Sequence, residues 1–133
     1  MKKVMVSAAF LTLAAALVLV SARAAAIEPE TGQVIVYGNP QCQGEPYMAL
    51  KIGEYPDLGA YNISGKDSPT WNESVSCMKI GKDVKVRVFE HTNYKGKKKT
   101  FANTTANKGT VSLASDPWDN SISSLKIYSA SGR

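Results

Sequence analysis

The sequence has little of what catalysis requires. Its one histidine is His91, set in the polar stretch His91-Thr92-Asn93, where a turn residue is the ordinary reading. There is no HExxH, no glycine-rich phosphate loop and no pair of carboxylates at a telling spacing. No Ser-His-Asp set rises above chance. These absences point away from an enzyme. Cysteine is equally scarce, with only Cys42 and Cys77. Two cysteines without a nearby histidine make a poor zinc set. In an oxidising compartment they can form one disulfide, which would staple only the first half of the chain. Past the first 26 residues no segment carries a 3.6-residue apolar period, so amphipathic helices are not expected. No nucleic-acid-binding motif accompanies the basic residues.

What is present begins with an N-terminal leader. Lys2 and Lys3 precede an uncharged apolar run from Val4 to Val20, followed by the small-residue stretch Ser21–Ala26. This is the order of a secretion signal, with cleavage after Ala24 or, preferably, after Ala26. An uncleaved anchor is the alternative, although the run is slightly short for a span of ~20 residues. Residues 1–26 are therefore assigned to a signal peptide, and 27–133 to one domain of about 107 residues. Loss of Lys2, Lys3 and Arg23 leaves thirteen basic against eleven acidic residues, a net charge near +2. Lys95, Lys97, Lys98 and Lys99 remain clustered. They read as a solvated hairpin resisting edge pairing, or as a contact for an anionic surface or glycan. Nucleic acid is not the expected partner.

The mature chain reads as strands. Gln33–Tyr37 and Val84–Phe89 are rich in β-branched residues. Lys97–Ala102 and Gly109–Leu113 read as short strands, and Val75–Ile80 and Ile122–Tyr128 close the two halves. Turn-rich pieces, Tyr37–Gly44 and Ser64–Pro69, lie between them, and Gly81–Asp83 marks a seam. About eight strands divided four and four fit an all-β, two-sheet sandwich.

The seam separates two related halves. WNESVSCMKI, from Trp71 to Ile80, recurs as WDNSISSLKI from Trp118 to Ile127. Each copy places small oxygen-bearing side chains before a short apolar alternation, a composition suited to a hard cation. Ser/Asn-rich turns without a ligand are the plainer reading. Trp71 and Trp118 read as packing residues. Each half also opens alike. Phe89, Tyr94 and Gly96 form aromatic-x4-aromatic-x-Gly, and Tyr37, Cys42 and Gly44 repeat the spacing with Cys in the second aromatic place. The glycine is suited to a positive φ at a sharp fold, over which the two rings can pack.

With these pieces in order twice, residues 33–128 resemble the βγ-crystallin family, in particular its microbial single-domain calcium-binding members. The family's Greek key opens with that hairpin, and its calcium binders carry Asn/Asp-Asn/Asp-x-x-Ser/Thr-Ser. Asp119-Asn120-Ser121-Ile122-Ser123-Ser124 fits throughout. Asn72-Glu73-Ser74-Val75-Ser76-Cys77 departs at Glu73 and Cys77. The resemblance implies a βγ-crystallin-like β-sandwich of two Greek keys, about 33–81 and 84–128, with two Ca²⁺ sites shared between them. The side-chain candidates are Asn72, Glu73 and Ser76 in one copy, and Asp119, Asn120 and Ser123 in the other. Main-chain candidates are Ser74, Ser121, Gly38 and Glu90. With few formal carboxylates the expected affinity is weak, roughly 10⁻⁵–10⁻³ M. The resemblance also brings Cys42, in the first hairpin, beside Cys77, in the fourth strand of the same key. A disulfide there would replace the missing aromatic clamp.

The function so implied is a monomeric, non-enzymatic calcium-binding module, secreted or periplasmic, whose fold the ion stabilises. A secreted effector on the same scaffold is the alternative: a toxin, antimicrobial protein or protease inhibitor. The low cysteine count argues mildly against it. An adhesion or coat protein touching its partner through the lysine hairpin is a third. Asn62, Asn72 and Asn103 begin N-x-Ser/Thr sequons, which matter only in a eukaryotic secretory pathway.

Overall fold

Alternating β-branched residues with no helical period commit the chain to sheets, which the structure resolves as two. The computed structural model describes residues 27–65 and 67–131. The leader, its cleavage after Ala24 or Ala26, and hence secretion, lie outside the described residues. Eight strands run in the order β1 (Gln33–Tyr37), β2 (Tyr47–Lys51), β3 (Gly53–Tyr55), β4 (Cys77–Ile80), β5 (Val84–His91), β6 (Lys95–Ala102), β7 (Thr110–Ser112) and β8 (Ser124–Ser129). They form two four-stranded sheets, β2-β1-β4-β7 and β3-β8-β5-β6, in which every neighbouring pair is antiparallel.

The sheet order records an exchange. Strands β1 to β4 form the first key and β5 to β8 the second, but each key sends its third strand to the other's sheet. β3 joins β8 through Tyr55↔Leu125, and β7 joins β4 through Cys77↔Ser112. In each key the fourth strand lies beside the first, β4 against β1 and β8 against β5, as a Greek key requires. Neither half can complete its sheet alone.

The core lies between the sheets. Val34, Val36, Met78 and Ile80 enter it from the first, and Val84, Val86, Val88, Leu125 and Ile127 from the second. Leu58, Trp71, Val75, Leu113 and Ile122 close it from the connections. Trp71 is fully buried and Trp118 packs half-buried against the same core, so both act as packing residues. β1 is apolar without alternation because both its faces are covered. Its outer side chains, Ile35 and Tyr37, form a second cluster with Cys42 and Cys77. Residues 27–30 extend along that side, where the Ile27 carbonyl accepts from Lys79 Nζ at 2.8 Å and from the Tyr37 hydroxyl at 3.5 Å.

The observed strands differ from the sequence reading in specific ways. β2 and β3 are additional to it. Both are edge strands, short and poor in β-branched residues, so their signal is weak. Val75–Ile80 and Ile122–Tyr128 lose their first two residues, because residues 74–76 and 121–123 serve as connecting arms. β5 continues to His91 and β6 starts at Lys95, with a register shift between Phe89 and His91.

The two hairpins show how one clamp substitutes for another. Phe89 and Tyr94 meet edge to face, with ring centroids 5.4 Å apart. At the place equivalent to Tyr94 stands Cys42, and both residues hold a left-handed φ, 63° and 55°. Cys42 is bonded to Cys77, which lies opposite Tyr37 in the β1–β4 ladder. The disulfide thus ties the folded-over hairpin to its own sheet. Gly96 shows why the motif needs glycine: its φ is +82°, and a Cβ there would stand 2.7 Å from His91 Cδ2.

The 35-residue separation of the bridged cysteines sets the expected stability effect. Cys42→Ala/Cys77→Ala should fold yet lose about 2–4 kcal/mol in urea denaturation. Alkylation of the unreduced wild type should trap no thiol; two trapped thiols would contradict the bridge.

Candidate functional site

The repeated segments form paired loops at one end of the sandwich. In each, the residue three beyond the Trp donates its backbone N–H to the Trp carbonyl: Ser74 to Trp71 at 3.2 Å, and Ser121 to Trp118 at 3.1 Å. The second motif position is left-handed in both copies, at Glu73 (φ 57°) and Asn120 (φ 54°). That turn aims each backbone N–H at the opposite loop. Glu73 donates to the Ile122 carbonyl at 2.9 Å, and Asn120 to the Val75 carbonyl at 3.0 Å. Each loop is also tied to its own hairpin, Ser76 N–H to the Tyr37 carbonyl at 2.8 Å and Ser123 N–H to the Phe89 carbonyl at 3.0 Å.

These ties sort the sequence candidates into two sets, each drawing on both copies. In the first, Ser76 Oγ donates to Asn120 Oδ1 at 3.0 Å. Gly38 lies alongside, since a Cβ on it would stand 3.8 Å from the Ser74 carbonyl oxygen. Gly38, Ser74, Ser76 and Asn120 thus converge. In the second, Glu90 and Ser121 line one small surface pocket with Lys97, Pro117 and Trp118. The backbone ties hold Glu73 and Ser123 at the corresponding places. Among the described residues, no hydrogen bond joins the Glu73 side chain to Ser123. Glu73 is exposed, while Ser76 and Ser123 are each only 5% exposed. The Glu90 carboxylate faces His91 Nε2 at 3.5 Å and the Lys97 backbone N–H at 3.4 Å, so its contribution toward an ion would be the main-chain carbonyl.

The remaining candidates, Asn72 and Asp119, stand at the first place of each motif and share an unusual property. The Oδ1 of each is buried and finds no hydrogen-bond partner among the described residues. Buried polar oxygens are normally satisfied, and here the same position is orphaned twice. Among the described residues no three His, Cys, Asp or Glu side chains gather as metal ligands. The oxygens brought together are carbonyl, hydroxyl and amide, with the carboxylates of Glu73 and Asp119 as the formal charges. Such a set suits a hard cation held partly by water. Hydroxyl and carbonyl oxygens without thiolate or imidazole are a poor fit to softer metals. Two features were not foreseen: Lys97 beside the second set, placed there by the register of β6, and the Tyr37 and Phe89 carbonyls that anchor the serines. Nearby, burial pushes the Tyr94 phenol above its ordinary range, with the carboxylate of Glu54 and then Tyr61 adding to it.

No family model and no curated protein matches the chain. Solved structures do. A βγ-crystallin domain studied for the evolution of the eye-lens fold is 21% identical, with TM-score 0.62, over 80% of this chain and 94% of that one. The chain has the βγ-crystallin fold. A mutant βγ-crystallin domain from Clostridium beijerinckii is 26% identical, over 74% of this chain and 98% of its own, with TM-score 0.55. A βγ-crystallin from an archaeon is also 26% identical, over 74% and 99%, with TM-score 0.52. The likeness therefore includes bacterial and archaeal βγ-crystallin domains, spanning nearly their whole length.

The left-handed turn at the second motif position gives a direct test. Asn tolerates this region better than Glu. Glu73→Asn should therefore raise calcium-free stability by about 0.5 kcal/mol, within the size of a conformational substitution effect, while Glu73→Val should lower it. Equal denaturation midpoints for both would contradict the reading of this turn.

Proposed function

We propose that this chain is a non-enzymatic calcium-binding module, secreted through its leader, in which the ion joins the two Greek keys and stabilises them. The observation that carries the reading is the reciprocal exchange between motif loops. Each loop donates a backbone N–H to the other from a left-handed residue, and Ser76 meets Asn120 across the join. An ion bound there would touch both keys and so favour their association. The orphaned Oδ1 atoms of Asn72 and Asp119 supply further oxygen in the same loops.

The two sites would be unequal. One pairs Ser76 with Asn120 and the carbonyls of Gly38 and Ser74. The other pairs Ser123 with Glu73 and the carbonyls of Glu90 and Ser121, adding a full negative charge but standing beside Lys97. A βγ-crystallin double mutant carrying two serine-to-histidine replacements, clostrillin, has been solved in complex with nickel. Ion binding on this scaffold is consistent with that complex. In this chain the unaltered oxygen set favours Ca²⁺.

Binding to the native state alone adds about 2.7 kcal/mol at a hundredfold excess over Kd. The melting temperature should rise with calcium and return with chelator. Calorimetric titration of wild type should show weak binding, and Ser123→Arg, which removes an oxygen and adds a cation, should lose the site that contains Glu73. An unchanged melting temperature across the calcium range would reject the proposal.

A further inference from the structure

A second group of cations is collected on the outer face of the second sheet. Val84, Val86 and Val88 of β5 enter the core, so Lys85 and Arg87 stand outside. Leu125 and Ile127 of β8 do the same, leaving Lys126 and Tyr128 on that outer face. The register sets Arg87 opposite Lys126 and Lys85 opposite Tyr128. On the other side Arg87 Nε donates to Thr100 Oγ1 at 3.0 Å, which fixes Thr100, and with it Lys98 two residues earlier, on the same face. With Glu54 opposite Lys126, one rung reads Glu54, Lys126, Arg87, Thr100 across all four strands.

Like charges directly opposite in a sheet destabilise it, and this face does little to offset them. The ion pairs among the described residues, Lys79–Glu28, His91–Glu90 and Lys99–Asp116, all lie elsewhere. Instead the cations rest on neutral rings. Lys85 Nζ and Arg87 Cζ stand 5.4 and 5.6 Å from the Tyr128 centroid, and Lys126 Nζ 4.4 Å from that of Tyr94. A ring orients a cation without cancelling its charge. Lys85, Arg87, Lys98 and Lys126 against Glu54 leave three net positive charges, more than the two of residues 27–133 together. The charge is segregated onto one face. On this face the Tyr128 hydroxyl is buried and finds no hydrogen-bond partner among the described residues.

We propose that this face is a docking surface for an acidic polysaccharide, a chain of sugars bearing carboxylates or sulfates. Adjacent strands lie about 4.8 Å apart, close to the rise of one sugar along an extended uronan, so successive acidic groups can meet successive cations. The rings are already covered by cations, which leaves no stacking platform of the kind single-stranded nucleic acid uses. No strand position on this face carries a large exposed apolar side chain, as insertion into a bilayer surface would require. Of the hairpin lysines only Lys98 belongs to the face. Lys99 turns to Asp116 and to the Phe101 ring, and Lys97 lies beside Glu90.

The test is binding of the folded protein to immobilised polygalacturonate with EGTA present, so that the outcome is independent of calcium. Wild type should bind, with affinity falling steeply as salt rises. Arg87→Gln/Lys126→Gln should weaken binding by about tenfold or more, whereas Lys95→Gln/Lys97→Gln should change it by less than about twofold. Lys85→Gln/Lys98→Gln gives an independent reading of the face should the first variant fail to fold. No binding by wild type, equal loss in the face and hairpin variants, or tighter binding to phosphatidylglycerol vesicles or oligo(dT) would each overturn the proposal.

Discussion

The structure depends on a pair of backbone hydrogen bonds between its two motif loops, Glu73 N–H to the Ile122 carbonyl and Asn120 N–H to the Val75 carbonyl. Both acceptors belong to fully buried residues, so the bonds are shielded from water and costly to leave unmade. Through them the loops that precede β4 and β8 hold a fixed distance, and the strands that follow enter the core in register. The exchange of β3 and β7 between sheets is the larger version of the same arrangement. Each key lends a piece of backbone to the other, and neither is complete without the loan.

That reciprocity changes what the repeat means. Two similar segments suggest two similar sites, one faithful to the motif and one eroded by Glu73 and Cys77. In the folded chain each oxygen set takes members from both segments, so the departure at Glu73 falls beside Ser123 of the faithful copy. The unaltered Asn120 completes the set around Ser76. Cys77 is removed from this question altogether, since it faces the other side of its strand and binds Cys42.

Much of the architecture was legible in the sequence because its strongest signals are local. The β-branched runs of β1 and β5, the spaced aromatics and glycine of each hairpin, and the duplicated Trp-led segment each carry their own physical reason. β2 and β3 were not legible, because an edge strand with one covered face asks little of its residues. That the sites are shared between the keys followed from the family resemblance, but which oxygen falls in which set was not legible. That division arises from contacts between residues more than forty positions apart, and nothing in the spacing of either copy alone announces them. The same holds for the basic sheet face. Its cations are scattered through β5, β6 and β8 in sequence, and only the register collects them, while the conspicuous lysine run is mostly divided between other surroundings.

The disulfide has a mechanical consequence. It bridges the base of the first hairpin to β4, so residues 43–76 form a closed ring. A chain drawn out from its two ends carries the load across the sulfur bond and bypasses that ring. The first motif loop, residues 72–76, lies inside the sheltered arc, while the second, residues 119–123, lies on the loaded path. Under tension the two halves of the paired loops are therefore not equivalent: the second gives way first, and the first waits within its ring with its turn unstretched.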